Sequence, residues 1–419
     1  MTTDLAVVGL GYVGLPLAQE AARVGMSVVG FDVNQGVVDG LNSGVSHVDD
    51  LSDDDVAAML AAGFRATTDE TQLASARTVV ICVPTPLSED GGPDLGPVRA
   101  ATATVARNLT AGTLVILEST TYPGTTEEVV QPMLEADGLV VGTDIHLAFS
   151  PERVDPGNPT FGIKNTPKVV GGVTPECTRR AAAFYGRFID TIVTARGTRE
   201  AETAKLLENT YRHVNIALVN EMARFCHDLG IDLWDVIGLA STKPFGFQPF
   251  YPGPGVGGHC IPIDPNYLGY DVRRRLKYPF RFVELAQEIN ATMPRYVAQR
   301  AQGILNDDGL ATKGASVLLL GVTYKPDIAD QRESPAVDLA KALLELGAEL
   351  SYHDPYVPRW SANGSVMDAV EDLDAAVATA DLVILVQAHQ VYDVDSLAAT
   401  ARRFFDTRGR TTDPRAERL

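Results

Sequence analysis

Basic residues are in short supply: 35 lysines and arginines face 54 aspartates and glutamates in 419 residues, a formal net charge of −19. A surface that acidic repels phosphate backbones and argues against a nucleic-acid partner or an anionic membrane. Any phosphate-bearing ligand must then be held locally, by glycine loops and single cationic side chains. Long apolar runs are also missing. None approaches the ~18 residues that a membrane-spanning helix needs, and the N-terminal stretch MTTDLAVVGLGYVG lacks the basic region and cleavage site of a secretory signal. Cysteine is scarce, with Cys82, Cys177, Cys226 and Cys260 far apart and none in a CxxC pair. Neither a disulfide framework nor a metal site is expected. These exclusions point to a soluble, reduced, cytoplasmic chain, and 45% hydrophobic with 21% charged residues is an ordinary globular balance.

Strand-like and helix-like segments alternate from the start. Leu5–Gly9 and Ser27–Phe31 are short Val-rich runs, and Gly14–Gly25 between them has helical spacing. That is a βαβ unit, from which a parallel sheet follows. Thr78–Val83, Thr113–Glu118 and Ile145–Phe149 continue the series. From Glu200 to Leu229 there is no glycine or proline, and apolar residues recur every three or four positions. One long helix fits, of the kind that bridges two lobes or forms a dimer seam. Lys243–Pro265, dense in proline, glycine and aromatics, reads as a loop. Beyond it, strands at Ala315–Gly321, Glu349–His353 and Leu382–Val386 and a helix at Pro335–Leu346 describe a second α/β sheet. The expected fold is α/β, two Rossmann-like parallel-sheet domains joined by a long central helix. The polar tail after Arg408 is expected to be loose.

Gly9-Leu10-Gly11-Tyr12-Val13-Gly14 matches GxGxxG. Its context makes it specific: it follows a strand, opens a helix, and Asp32 ends the second strand. Gly9 allows the tight turn, Gly11 lets backbone approach a pyrophosphate, and Gly14 allows helix to pack closely on strand. The helix N-terminus supplies N–H groups to phosphates. Asp32 accepts hydrogen bonds from ribose hydroxyls and repels a 2′-phosphate, favouring NAD over NADP.

Gly253-Pro254-Gly255-Val256-Gly257-Gly258-His259-Cys260-Ile261-Pro262-Ile263-Asp264 is the most specific stretch. Its glycines let backbone approach a ligand and present N–H groups. Cys260 sits on this loop, whereas Cys82 and Cys226 fall in a strand and a helix and read as core. A loop cysteine near a cation is a nucleophile; buried, the same residue is structural, and spacing alone leaves both readings open. A nucleophilic thiol beside a dinucleotide suggests oxidation through a thioester, with Asp264 as base for the thiol or for water.

With these residues in view the chain resembles the UDP-glucose/GDP-mannose dehydrogenase family, the nucleotide-sugar 6-dehydrogenases, closest to its UDP-N-acetylhexosamine branch. GLGYVGLPLA, VPTP, ESTTYPGT, FSPE, AKLLEN, GPGVGGHCIPID, LGVTYKPDIADQRESP and HDP match in order from residue 9 to residue 355. The resemblance implies an NAD-binding domain over 1–198, a central helical dimerisation domain carrying the cysteine loop over 199–300, and a nucleotide-sugar-binding domain over 301–419. It implies a homodimer, with apolar residues Leu206, Ile216, Leu218, Val219, Met222 and Phe225 of the long helix available for a seam.

The same resemblance implies roles for single residues. Cys260 holds C6 as thiohemiacetal and then thioester. Lys205 and Asn209 stabilise the developing oxyanion, Asp264 handles water or a proton, Glu152 serves thioester hydrolysis, and Thr120 stands near the water and the nicotinamide. Gly9, Gly11, Tyr12, Val13, Gly14, Asp32, Thr85, Thr120 and Arg332 are its cofactor contacts. Glu152, Arg153, Lys205, Asn209, Phe250, Tyr251, Gly257 and Lys325 are its substrate contacts. The implied reaction is NAD-dependent four-electron oxidation of the sugar C6 hydroxymethyl to a carboxylate. UDP-N-acetylglucosamine or UDP-N-acetylmannosamine is the first substrate reading, UDP-glucose or dTDP-glucose the second, and an inactive NAD-binding scaffold the reading from another class. Two departures from the family pattern stand out. Ile263 replaces a lysine often found one residue before the aspartate, and the second acid after Glu152 is shifted to Asp155. His259 reads either as a substrate or base contact or as a packed loop residue.

Overall fold

The strands expected in the N-terminal half are all present, moved by one or two residues at their ends. The structure, a computed structural model, describes residues 2–48, 51–88, 92–154, 158, 160–258 and 261–419. It divides into two compact units, Met1–Glu208 with Asn266–Tyr278, and Asn209–Pro265 with Pro279–Leu419.

In the first unit the strands are β1 (Thr3–Val8), β2 (Val28–Phe31), β3 (Arg65–Thr67), β4 (Ala76–Ile81), β5 (Leu114–Leu117), β6 (His146–Phe149), β7 (Lys168–Gly172) and β8 (Ile192–Thr194). They form one sheet in the order β3-β2-β1-β4-β5-β6-β7-β8. β1 to β6 are parallel, β7 runs antiparallel to β6, and β8 follows β7 in parallel. The near-continuous apolar character of these strands has a simple cause. Leu5 and Val7 of β1 face one core, while Ala6 and Val8 face the other. A sheet covered on both faces has no polar side. Order 3-2-1-4-5-6 places the reversal of strand order between the parallel neighbours β1 and β4, where doubly wound sheets take their ligands.

The second unit holds a five-stranded parallel sheet of β9 (Ser316–Leu320), β10 (Glu349–His353), β13 (Leu382–Leu385), β14 (Phe404–Asp406) and β15 (Glu417–Arg418), ordered β10-β9-β13-β14-β15. A hairpin of β11 (Arg359–Ala362) and β12 (Ser365–Asp368) forms a separate two-stranded sheet whose Trp360 packs on Tyr352 of β10. Relabelled from one, that order is 2-1-3-4-5, the other common doubly wound arrangement. Ser334 caps the helix Pro335–Glu345, whose proline occupies the first turn, where its missing N–H costs nothing.

The long helix runs Thr198–Asp228, 31 residues, as its uninterrupted periodicity predicts. Two of its expected seam residues are not available: Leu206 is 0% exposed and Val219 7%, both packed into the chain's own interior. Leu218 and Phe225 are open, and Leu207 and Tyr211 join them. Another expectation also fails. The tail after Arg408 is docked, not loose. The Asp406 carboxylate accepts the backbone N–H groups of Arg408, Arg410 and Thr411, β15 pairs with β14, and Leu419 is buried. A polar tail stays put when one buried carboxylate takes three of its amides. Among the described residues no helix is long and apolar enough to cross a membrane.

Candidate active site

The loop after β1 has the shape its glycines require. Gly9 has φ of +93°, and a Cβ there would lie 2.7 Å from the Cys82 carbonyl oxygen. A Cβ on Gly14 would lie 1.9 Å from the Gly9 carbonyl oxygen and 2.9 Å from Val7, so helix Gly14–Arg23 rests directly on the turn. At Gly11 a Cβ would meet nothing within 4 Å. That open side adjoins a helix N-terminus that no side chain caps and whose first turn carries no acid, a fit for a pyrophosphate. Asp32 follows β2. Its Oδ2 accepts the Leu10 N–H at 2.9 Å and its Oδ1 the Asn34 N–H at 2.9 Å, so the loop orients the carboxylate. Tyr12 is 37% exposed, beside half-buried Val13. The Thr85 hydroxyl donates to the Thr120 carbonyl at 2.8 Å, tying the loops after β4 and β5 together, and the Tyr267 hydroxyl donates to the Thr85 carbonyl. These residues fit NAD.

Glu152 follows β6 in the same unit. One of its oxygens accepts the N–H groups of Arg153 and Val154, and the other meets the Lys168 ammonium at 3.0 Å. Burial pushes the Glu152 carboxyl up, but Lys168, the Val154 amide and, further off, Lys205 outweigh it and hold it below the usual carboxylate range. Arg153, expected at the substrate, is paired with Glu208 at 2.7 Å and donates to the Pro167 carbonyl. Lys205 lies half-buried on the long helix.

In the second unit the Asn209 amide donates to Asp264 Oδ2 at 2.6 Å, and both residues are 4% exposed. His259 and Cys260 lie outside the described residues, as does Asp155. The loop leading to the cysteine packs on its own chain: a Cβ on Gly257 would lie 2.7 Å from the Glu333 carbonyl oxygen, and one on Gly258 2.8 Å from the Tyr324 ring. At Gly257 and Gly258 the missing side chain therefore makes room for the chain itself, where the sequence had suggested a ligand. Phe250 sits edge-on to Tyr211, and Tyr251, 55% exposed, stacks on Trp234. The loop is tied down from below as well. Asn220 accepts the Gly253 N–H at 2.9 Å and donates to Asn290, which in turn faces His213. His213 is fully buried beside a cavity of about 320 Å³.

Burial lowers the His213 pKa to about 4 from its ordinary 6.5. A histidine kept neutral in the fold contributes stability that is complete above pH 6.5 and lost as pH falls toward 4, because the unfolded chain binds the proton first. The loss amounts to about 3 kcal/mol at the lower end. In chemical denaturation at pH 7.5 and 4.5, His213→Asn, whose amide oxygen replaces Nδ1, is expected to lose less stability than the unmodified chain by about that amount.

The second sheet has its own switch point, between β9 and β13. The segment 321–335 leaves β9 there and carries Lys325 and Arg332. Arg332 pairs with Asp330 at 2.5 Å. His389 holds the segment: its Nδ1 accepts the Asp327 N–H at 2.9 Å while its Nε2 donates to Asp354 at 3.0 Å. Asp327 and Glu333 adopt φ of 64° and 52°, a strained backbone of the kind kept at working sites.

Sequence reasoning missed Arg408. It follows β14, donates to the Val386 carbonyl, and brings its guanidinium to Gly253. No salt bridge engages it among the described residues, and burial lowers its pKa to about 10. A half-buried cation without a carboxylate is a place for an anion. The only sequence signal was a lone arginine just past a strand. Lys168 was missed too, because nothing local distinguishes it from a solvated lysine.

The glycine turn and the two switch points define a dinucleotide-binding protein with a second doubly wound sheet. The chain belongs to the UDP-glucose/GDP-mannose dehydrogenase family, whose NAD binding, central and UDP binding domain models match residues 3–189, 199–292 and 318–413. It is 35% identical over 422 residues to a UDP-N-acetyl-D-mannosamine dehydrogenase of Salmonella typhi, covering 97% of this chain and 99% of that one. It is 38% identical over 357 residues to a UDP-N-acetyl-D-glucosamine 6-dehydrogenase of Pseudomonas aeruginosa, covering 84% and 83%. The structure of a UDP-D-ManNAc dehydrogenase from Pyrococcus horikoshii superposes with a TM-score of 0.89 at 33% identity, over 99% of both chains. The protein is an NAD-dependent nucleotide-sugar dehydrogenase that oxidises its substrate to the acid.

Proposed function

We propose that the substrate is a UDP-N-acetylhexosamine, UDP-N-acetylmannosamine or UDP-N-acetylglucosamine, oxidised twice at C6 through a thioester on Cys260. The likeness to UDP-N-acetylmannosamine and UDP-N-acetylglucosamine dehydrogenases supports the sugar. The observation that carries the chemistry is the buried Asn209–Asp264 hydrogen bond, four residues beyond the cysteine and one helical turn from Lys205. Bound at the glycine loop, NAD accepts a hydride from C6 in each oxidation. Lys205 and Asn209, four apart on one helix face, hold the oxygen as it gains charge, and a cation placed there favours the transition state over the ground state. Asp264 orients Asn209 and takes a proton from the thiol or the water. Glu152, held ionised, orients the water that opens the thioester. Thr120 stands at that water, with Arg332 toward the cofactor. Phe250, Tyr251, Gly257, Arg153 and Lys325 serve the substrate, and Arg408 supplies the positive charge its diphosphate needs.

This reading divides the chain into 1–198 for NAD, 199–300 for the central helices and cysteine loop, and 301–419 for the nucleotide sugar. It also includes a cytoplasmic homodimer, since a free thiol needs a reducing compartment and the exposed stripe Leu207, Tyr211, Leu218 and Phe225 suits a seam. A panel of UDP-N-acetylhexosamines, UDP-glucose and dTDP-glucose with NAD tests it. Two NADH per sugar and the mass of the uronate are expected for an N-acetylhexosamine, and preferential turnover of either glucose nucleotide would overturn the substrate assignment.

Cofactor choice is a separate test. With Asp32 fixed by the Leu10 and Asn34 amides, NAD is expected to be preferred over NADP by about tenfold or more in kcat/KM. Asp32→Ala should narrow that gap, and equal use of both cofactors by the unmodified enzyme would remove Asp32 from the ribose.

A further inference from the structure

Lys168 opens β7, where that strand runs antiparallel beside the end of β6. Its side chain is 4% exposed, and its ammonium lies 3.1 Å from Glu118 and 3.0 Å from Glu152. Glu118 is the first residue after β5 and leads into Ser119-Thr120; Glu152 follows β6. One buried cation therefore ties the exits of two neighbouring strands. Both exits carry residues assigned above to the reacting water.

The two carboxylates are not equivalent. Glu118 has a fully buried side chain, accepts from the Tyr185 hydroxyl, and has Cys82 Sγ 4.0 Å from its second oxygen. Burial is the main cause that raises its pKa, with Lys168 opposing and Glu152 adding to the rise. Glu152 is displaced the other way, its side chain 16% exposed and its second oxygen held by two amides. Neighbouring carboxyls driven apart in this way divide their labour: Glu118 anchors the ammonium from the interior, and Glu152 presents the charge outward. Burying a lysine costs several kcal/mol unless it is fully paired, and two carboxylates, with the Tyr185 ring 5.2 Å away, supply the pairing. Nothing about sheet formation calls for an ammonium at this position.

We propose that Lys168 is a positioning residue for thioester hydrolysis, holding Glu152 ionised and in register with the Thr120 loop, with Glu118 as its buried anchor. The inference rests on the hydrolytic role given to Glu152 above. In the step concerned, a water oxygen bonds to the C6 acyl carbon and the bond to the Cys260 sulfur breaks. The products are the sugar carboxylate, the restored thiol and one proton. Without Lys168 the carboxylate loses its fixed direction and its charge stabilisation together.

The test uses the full-length enzyme with NAD and the nucleotide sugar that turns over best, reading single-turnover hydrolysis from pH 5 to 8 beside intact-protein mass. Lys168→Met and the double variant Glu118→Gln/Lys168→Met are compared, the second removing the carboxylate that the first leaves unpaired. Both are expected to release two NADH per site in a burst and then stall as a covalent acyl-enzyme, with hydrolysis slower on the order of 100-fold. The acid limb should move up by about one pH unit or more, and Lys168→Arg, which keeps the charge, should restore the limb. Glu152→Gln separates the two layers of the argument. If it hydrolyses the thioester normally, the role of Glu152 is wrong. If it stalls while folded Met variants keep the normal rate and acid limb, the role of Lys168 is wrong. Should neither Met variant fold, the unmodified enzyme decides: hydrolysis undiminished down to pH 5 is expected, and an acid limb centred above pH 5 would overturn the proposal.

Discussion

Cys260→Ser is expected to abolish net formation of the sugar acid while leaving NAD binding intact. A serine hydroxyl is a far weaker nucleophile near neutral pH, and an ester is a poorer acyl donor to water than a thioester. Both halves of the covalent route suffer from one atom. The other cysteines provide the control. Cys82, Cys177 and Cys226 are buried at 8%, 0% and 3% exposure, and burial raises the Cys82 thiol, as does the neighbouring Glu118. A raised, enclosed thiol is inert. Serine at those sites is expected to cost stability on the order of 1–3 kcal/mol with turnover retained at permissive temperature. NADH yield, thermal unfolding and product mass for the four variants separate the cases, and near-normal acid production by Cys260→Ser would end the covalent mechanism.

Lys205→Ala is expected to slow turnover by on the order of 10²–10³-fold, the usual cost of losing one charged partner of a developing oxyanion. NAD binding and the homodimer proposed above should survive, because a lone charged side chain adds little to an apolar seam. Leu218→Glu should do the reverse. Leu218 is 54% exposed on the long helix, and a carboxylate there, repeated across a twofold axis, opposes like charge to like in a desolvated contact. Light scattering during gel filtration, run beside the NADH assay, reads both outcomes. An unchanged rate in Lys205→Ala would remove it from the oxyanion, and a fully active monomer would remove the helix from a seam.

The GxGxxG loop was legible because each of its glycines answers a local demand: a left-handed turn at Gly9, a helix resting on the turn at Gly14, open space at Gly11. The long helix was legible because its periodicity runs without a break. Which side of it faces outward was not, since Leu206 and Leu207 are adjacent and equally apolar, and only packing buries one and exposes the other. The tail misled for a related reason. Its polarity reads as solvent-facing until Asp406 is placed beneath its amides.

The amino-acid sequence by itself determined the chain's α/β class, its dinucleotide turn and the glycine-rich loop over 253–258, because backbone conformation and side-chain period act over a few residues. Tertiary structure alone decided the charges. Glu118, Glu152 and Lys168 are separated by 34 and 16 residues, and each alone reads as an ordinary polar residue. Their meaning comes from being enclosed together, since an ion pair has little weight in water and a great deal where water is excluded.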